Sequence, residues 1–269
     1  MTATAHLLAS GPGWRVSDIV CTAGPDDRAF EEAHPQHCIA IVRSGSFRYR
    51  STQGSAVLAP GSLLLGNRGA CFECGHEHAA GDRCLAFQFE PAWLEGIVAA
   101  VPGARQIGFA QAHLSALAPL AGVVAEAEIA ADEPERLEET ALRLAGAVAS
   151  VLSGAKPGIA TPSARDQRRI TRALRHIEAH SEDALSIDEL AWQAAMSPYH
   201  FLRTFRALVG MTPHQYVLRT RLHRAALLLR RTDQPIAGIA FDCGFGDLST
   251  FNRRFKRVMS AKPSDYRGA

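Results

Sequence analysis

The stretch "CFECGHEHAAGDRC", Cys71–Cys84, gathers three of the chain's six cysteines and two histidines into fourteen positions. Thiolates and imidazoles together form the soft N/S donor set that zinc or cuprous copper prefers. Side chains alternate along an extended strand, so Cys74, His76 and His78 project from one face. "AAGD" supplies a turn, after which Cys84 opens the returning strand of a hairpin; loop length decides whether it shares that face. Cys74, His76, His78 and Cys84 are therefore the candidate metal ligands. Strand residues i and i+4 lie ~13 Å apart at Cα, which argues for leaving out one histidine and admitting Cys38 from another strand. Three further readings stay open: a hairpin with a partly buried cysteine and solvent-facing histidines, a thiol-reactive sensor, and a nucleophilic cysteine. Cys71 is an odd step from Cys74 and points the other way.

Catalysis finds less support. His34 and His37 are three apart, on opposite faces of a regular strand. No complete catalytic constellation follows from the residues, and the chain is read as a non-enzyme.

The elements that must carry these side chains follow from the rest of the chain. At 269 residues, with 47% hydrophobic and 21% charged residues, it suits two globular domains. No apolar run reaches the ~18 residues of a membrane span. The start, "MTATAHLLASGPGW", lacks the basic and apolar regions of a signal peptide, so a cytoplasmic chain whose cysteines are reduced thiols or metal ligands is expected. The net charge of +2 conceals an asymmetry. Residues 1–160 hold 11 Lys+Arg against 17 Asp+Glu, a net of −6, whereas residues 161–269 hold 18 against 10, a net of +8. An anionic polymer would bind the second part.

That part reads as helix throughout. In "LSIDELAWQAAMSPYHFLRTFRALVG", Ser186 and Glu189 form a capping-box pattern, and Ile187, Leu190, Ala191 and Ala194 supply an apolar face. Pro198 suits the first position of a second helix that turns Phe201, Phe205 and Leu208 inward and ends at Gly210. The pattern then recurs. "QPIAGIAFDCGFGDLSTFNRRFKRVMSAKPSDYR" gives a short helix, a turn at Gly244–Gly246, and a helix with Leu248, Phe251, Phe255 and Val258 on one stripe. Its opposite face collects Ser249, Thr250, Arg253, Lys256 and Arg257. Phe201 precedes Phe251, and Arg203 precedes Arg253, by fifty positions. Between the two pairs runs a helix of roughly twenty residues, about 30 Å long, close to the ~34 Å between successive major-groove faces on one side of B-DNA. Two helix-turn-helix reading heads one turn apart point to double-stranded DNA. Trp192 and Tyr216 are expected in the core and Cys243 at a packing position. Arg206, Arg254 and Lys256 are either solvated charges or phosphate contacts, and His200 is expected as a surface or phosphate-contact residue.

Residues 168–267, and "GFGDLSTFNRRFKRVMSAKPSDYR" above all, resemble the DNA-binding domain of the AraC/XylS-type transcriptional regulators. The resemblance implies that both recognition helices enter adjacent major grooves. Carried over by position, Tyr199, Leu202 and Arg203 on the first helix, and Leu248, Ser249, Thr250 and Arg253 on the second, are the base-edge candidates. Leu202 and Leu248 stand where several relatives carry Gln, so contact with thymine methyl groups replaces amide hydrogen bonds there.

Between Val16 and Phe89 short alternating runs are cut by Gly and Pro turns every eight to twelve residues, the rhythm of a small β-barrel or sandwich. "APGSLLLGN" after "RSGSFRYRSTQGSAVL" resembles the cupin-like sensor domain that often precedes this DNA-binding module. Residues 91–153 return to amphipathic helix. In the family such helices pair across a dimer, and the stripe Leu137, Leu144, Val148 and Val151 permits that, as it permits packing on the barrel. The expected class is thus α+β: a small cupin-like β-barrel (1–90), a helical connector (91–153), a linker (154–164) and an all-α double helix-turn-helix domain (165–269). The implied function is a sequence-specific transcriptional regulator with a ligand, metal or thiol-sensing N-terminal domain. Its expected partners are double-stranded DNA, RNA polymerase if it is an activator, a small-molecule or metal effector and a second copy of itself, with no membrane. Zinc or copper is the one cofactor the residues suggest. Two alternatives are weighed: a metal-dependent cupin enzyme, and an alkyl-accepting DNA-repair regulator, whose cysteine context is not matched here.

Overall fold

The computed structural model describes residues 3–27, 29–76, 81–154 and 162–268. His78 and most of the expected linker 154–164 lie outside the described residues. The chain divides into two compact units, Met1–Ile159 and Ala160–Ala269.

In the first unit, β1 (Ala3–Gly11), β2 (Trp14–Cys21), β9 (Asp82–Phe89), β4 (His37–Gly45), β7 (Leu63–Gly66) and β10 (His113–Leu114) hydrogen-bond in that order into one antiparallel sheet. A second sheet runs β3 (Phe30–Ala33), β8 (Cys71–Gly75), β5 (Phe47–Ser51) and β6 (Gly54–Leu58). Alternate residues of both sheets meet in one core, with Cys38, Ala40, Val42, Cys84 and Ala86 from the first sheet and Phe47, Tyr49 and Leu58 from the second. This β-rich unit is the small two-sheet layout expected from the turn rhythm and implied as cupin-like by the resemblance. Strand β1 lies ahead of the expected strand region. It is an edge strand, mostly exposed, so it carries no buried alternation to read.

The expected hairpin at Cys71–Cys84 does not form. β8 pairs with β3 and β5, and β9 with β2 and β4, so the chain crosses from one sheet to the other between them. Cys74 and Cys84 therefore approach from opposite sides of the core rather than along one hairpin.

The described residues of the unit also form three α-helices, α1 (Pro91–Ala99), α2 (Ala118–Ala130) and α3 (Leu137–Leu152), with a 3-10 turn at Pro134–Arg136. α3 packs on α1, α2, β1 and β2. Leu137, Leu144 and Val148 are buried by these contacts and Val151 is half-buried. Of the two uses the stripe permits, packing within the unit is the one present here, and covering an apolar helix face internally costs no association entropy.

The second unit holds α4 (Ala164–Ala179), α5 (Ile187–Gln193), α6 (Pro198–Val209), α7 (Pro213–Arg231), α8 (Ile236–Asp242), α9 (Leu248–Met259) and α10 (Pro263–Gly268). Local sequence sets the helix starts. Ser163 and Asp166 cap α4 reciprocally, Thr212 and Gln215 cap α7 likewise, and Asp247 Oδ1 accepts the Thr250 amide at 2.7 Å. Ser186 accepts the Glu189 amide, but the Glu189 carboxylate faces His176 Nε2 at 3.2 Å, so that box is half formed. No helix of the described residues is long and apolar enough to cross a membrane.

Candidate nucleic-acid interface

The two helix pairs, α5–α6 and α8–α9, repeat each other with one difference. Backbone bonds Met196 N–Ala191 O and Phe245 N–Ala240 O correspond at a spacing of 49, while Phe201 and Phe251 correspond at 50. The second turn is one residue longer, the extra residue being Gly246. Ala195 and Gly244 occupy the left-handed position of the two turns, with φ of 49° and 84°. Gly244 is required there, since a Cβ would stand 2.5 Å from the Glu182 carbonyl oxygen.

Phe201, Phe205, Phe251 and Phe255 are wholly buried and leave the other helix faces outward. On α9, Ser249, Arg253, Lys256 and Arg257 are exposed and Thr250 is half-buried. Leu248 is 37% exposed, an apolar side chain presented beside Arg253. Val258 is 47% exposed, and neither residue belongs to the buried stripe expected for it, because both sit at helix ends beyond the packed centre. On α6, Tyr199 and Arg203 are half-buried, with the Arg203 guanidinium 5.7 Å from the Tyr199 ring centroid. That cation–π contact pre-orients the guanidinium. Leu202 is 2% exposed, which removes it from the base-edge set. The buried face of α6 takes in Phe201, Leu202, Thr204 and Phe205, a wider arc than the Phe stripe alone.

Other expectations divide in the same way. Arg206 and Lys256 are exposed, whereas Arg254 is 3% exposed and is an interior residue. Trp192 is 76% exposed, against the expectation of a core tryptophan. It lies about 100° beyond Ala191 on a helix whose buried face is Ile187, Leu190 and Ala191. Tyr216 is half-buried, packs edge-on against Phe205 and reaches Glu178 Oε1 at 3.1 Å. Cys243 is buried at its packing position, and His200 is exposed.

One residue that sequence reasoning did not single out joins the two pairs. Arg221, on α7, donates to Ser181 O at 2.5 Å, Asp183 O at 2.7 Å and Gly244 O at 2.8 Å. The first two carbonyls precede α5 and the third lies in the α8–α9 turn, so one guanidinium fork fixes both pairs to the connecting helix. Five donors in a rigid plane suit this role, which an ammonium could not fill.

The N-terminal cluster differs from its expected composition. Cys74 is half-buried and packs on the sheet core, with its thiol pushed up by burial. Cys84 is buried, its thiol also raised by burial, and its Sγ donates to Asp82 Oδ2 at 3.3 Å. Burial pushes Cys38 up to about 12. His76 is buried and bonds Asp82 Oδ1 at 2.6 Å. Among the described residues, the group whose donor atoms come within 4.8 Å of one another is Cys21, His76 and Asp82. Of the expected set it keeps only His76. Cys21 is 55 residues from His76, and no spacing rule could have found it. His34 lies apart from this group: its Nε2 is hydrogen-bonded with Tyr49 Oη at 2.9 Å, its ring stacks on Phe72, and burial pulls its pKa down to about 4.

A β-rich unit followed by two capped helix pairs on a basic frame defines the class, and comparison with known proteins agrees. Residues 19–146 match the AraC-like ligand binding domain, and residues 190–269 match a helix-turn-helix domain family. Regulatory protein SoxS of Salmonella typhimurium is 37% identical over 101 residues, 38% of this chain and 94% of SoxS. The transcriptional activator RhaS of Klebsiella pneumoniae is 33% identical over 112 residues, 42% of this chain and 40% of its own. The probable transcriptional regulator LumQ of Photobacterium leiognathi is 36% identical over 91 residues, 34% of this chain and 37% of LumQ. The matches to LumQ and RhaS thus span about two fifths of those proteins. The chain belongs to the AraC/XylS-type family of transcriptional regulators.

Proposed function

We propose that the protein is a cytoplasmic, sequence-specific DNA-binding transcriptional regulator, with α6 and α9 as recognition helices in adjacent major grooves and the N-terminal unit as effector domain. The observation that carries this reading is the two-sided character of α9. Phe251 and Phe255 are buried while Ser249, Arg253, Lys256 and Arg257 are exposed. With Leu202 turned inward, the base-reading set becomes Tyr199 and Arg203 on α6 and Leu248, Ser249, Thr250 and Arg253 on α9. Arg253 is assigned to a bidentate guanine contact and Leu248 to a thymine methyl. RNA polymerase is a further partner if the protein activates. A second copy would use the outer face of α2, where Ile129 is 57% exposed, since the α3 stripe is taken.

Fragments selected from genomic DNA by the full-length protein provide the test. Arg253→Ala should weaken the selected site by about 1–3 kcal/mol and relax preference at one base pair. Affinity should fall steeply with salt as counterions are released. Unchanged affinity and selectivity in Arg253→Ala would remove α9 as a reading helix.

A further inference from the structure

Cys21 ends β2 and Asp82 opens β9, and the two are direct cross-strand partners. Their side chains therefore leave the sheet on one face, with Cβ atoms about 5 Å apart. His76 arrives from the opposing sheet, one residue after β8. One donor atom from each lies within 4.8 Å of the others, and the three residues are only 6%, 9% and 5% exposed in the order Cys21, Asp82, His76. The backbone is built to bring Asp82 in. Gly45 pairs with it at φ 78°, and a Cβ at Gly45 would stand 2.2 Å from the Gly81 carbonyl oxygen. The second carboxylate oxygen of Asp82 is held by the Cys84 thiol at 3.3 Å, the kind of outer partner that orients a ligating carboxylate.

We propose that Cys21, His76 and Asp82 form a binding site for one divalent cation of the zinc class, with a fourth position left for another donor. Charge selects the class. A thiolate, a carboxylate and a neutral imidazole carry two negative charges together, so a divalent ion leaves a neutral buried centre. A cuprous ion would leave a net charge in a low-dielectric interior. Donor type agrees: zinc accepts sulfur, nitrogen and oxygen together, whereas magnesium and calcium require oxygen. On binding, the Cys21 thiol proton goes to solvent, the His76–Asp82 hydrogen bond opens, and the imidazole exchanges to the Nδ1–H tautomer as Nε2 turns to the ion. Nothing is oxidised or reduced. The ion joins the two sheets of the N-terminal unit. As the effector of that unit it rests on the regulator reading; as a binding site it does not.

The full-length protein, without a histidine tag, reduced and chelator-treated, is titrated with Co²⁺ as the zinc surrogate. One Co²⁺ per chain should bind, with a near-ultraviolet sulfur-to-cobalt charge-transfer band that Zn²⁺ abolishes by displacement. Cys21→Ser should lose the band and weaken binding at least about tenfold, while Cys71→Ser, at an exposed position, keeps both. No stoichiometric uptake, or a band unchanged in Cys21→Ser, overturns the site. Should Cys21→Ser lose its native circular dichroism, X-ray absorption of the zinc-loaded wild type decides. One sulfur among nitrogen and oxygen ligands supports the site, and none, or two or more, overturns it. No DNA enters these measurements, so failure here leaves the regulator reading standing, and failed promoter binding leaves the site standing.

Discussion

The two units place their chemically active side chains on opposite sides of their surfaces. The N-terminal unit buries them: Cys21, Cys38, Cys84, His34, His76 and Asp82 all lie inside, among aliphatic and aromatic residues. The C-terminal unit fills its interior with phenylalanine and leaves Arg206, Arg253, Lys256 and Arg257 outside. Two cations are exceptions among the described residues: Arg254 is buried, and the partly enclosed Arg221 serves the scaffold, holding backbone carbonyls. The difference separates two kinds of recognition. A small effector can be enclosed, and enclosure strengthens each polar contact it makes. A polyanion cannot be enclosed, so the residues that meet it must stand on a rigid exterior. Stability in the first unit should therefore answer to protons, and in the second to packing.

The largest expected effect tests the packing side. Phe251→Ala empties the centre of the cluster around Ile239, Cys243 and Phe255 and should cost about 3–5 kcal/mol. Urea unfolding, followed by circular dichroism at 222 nm, checks it. A loss below about 1 kcal/mol would show that the α8–α9 pair does not depend on its aromatic core.

Next comes the proton side. His34 is neutral when folded down to about pH 4, whereas an unfolded histidine titrates near 6.5. Between those values the unfolded chain takes up a proton and the folded chain does not, so stability falls as pH drops from 6.5 to 4 and levels below. At 1.36 kcal/mol per unit the full loss is about 3 kcal/mol. Stability of His34→Gln, compared with wild type at pH 7.5, 6, 5 and 4.5, should show a flatter acid limb. Parallel profiles would mean that His34 is not held neutral by the fold.

Arg221→Met tests the second of the two exceptions. The thioether keeps part of the side-chain volume but leaves the carbonyls of Ser181, Asp183 and Gly244 without their shared donor, which should cost about 2 kcal/mol. DNA affinity should fall as well, because the orientation of both helix pairs rests on this fork. Unchanged affinity with reduced stability would separate the fork from recognition.

The smallest effect is a gain. Ala195 holds a left-handed backbone, which its counterpart Gly244 adopts without a Cβ. Ala195→Gly should stabilise by about 0.5–1 kcal/mol, the relief of the left-handed penalty less the entropy that glycine adds to the unfolded chain. A lowered thermal midpoint would mean that this backbone is not strained.

How far the sequence carried can be judged from single residues. Ser186 and Pro198, the helix starts read from the sequence, stand where expected, since capping needs only near neighbours. The exposure of Trp192 was also within reach, since the helical angle sets it opposite the face that Ile187 and Ala191 share. The burial of Leu202 and Arg254 was not, because the width of a buried face depends on what packs across it. The fifty-residue repeat was legible as well, because each helix pair is a local unit built from contacts a few residues apart.

Composition, capping and the repeat thus determined by themselves that the chain ends in two basic helix pairs and begins with short strands. The sequence also singled out His76 as a candidate ligand. Only the tertiary structure decided which partners meet it. Strand pairing across 61 residues puts Cys21 beside Asp82, and the crossing between sheets puts His76 against both. Those neighbours are chosen by the register of strands far apart in the chain, and register is a property of the closed core rather than of any local run of residues.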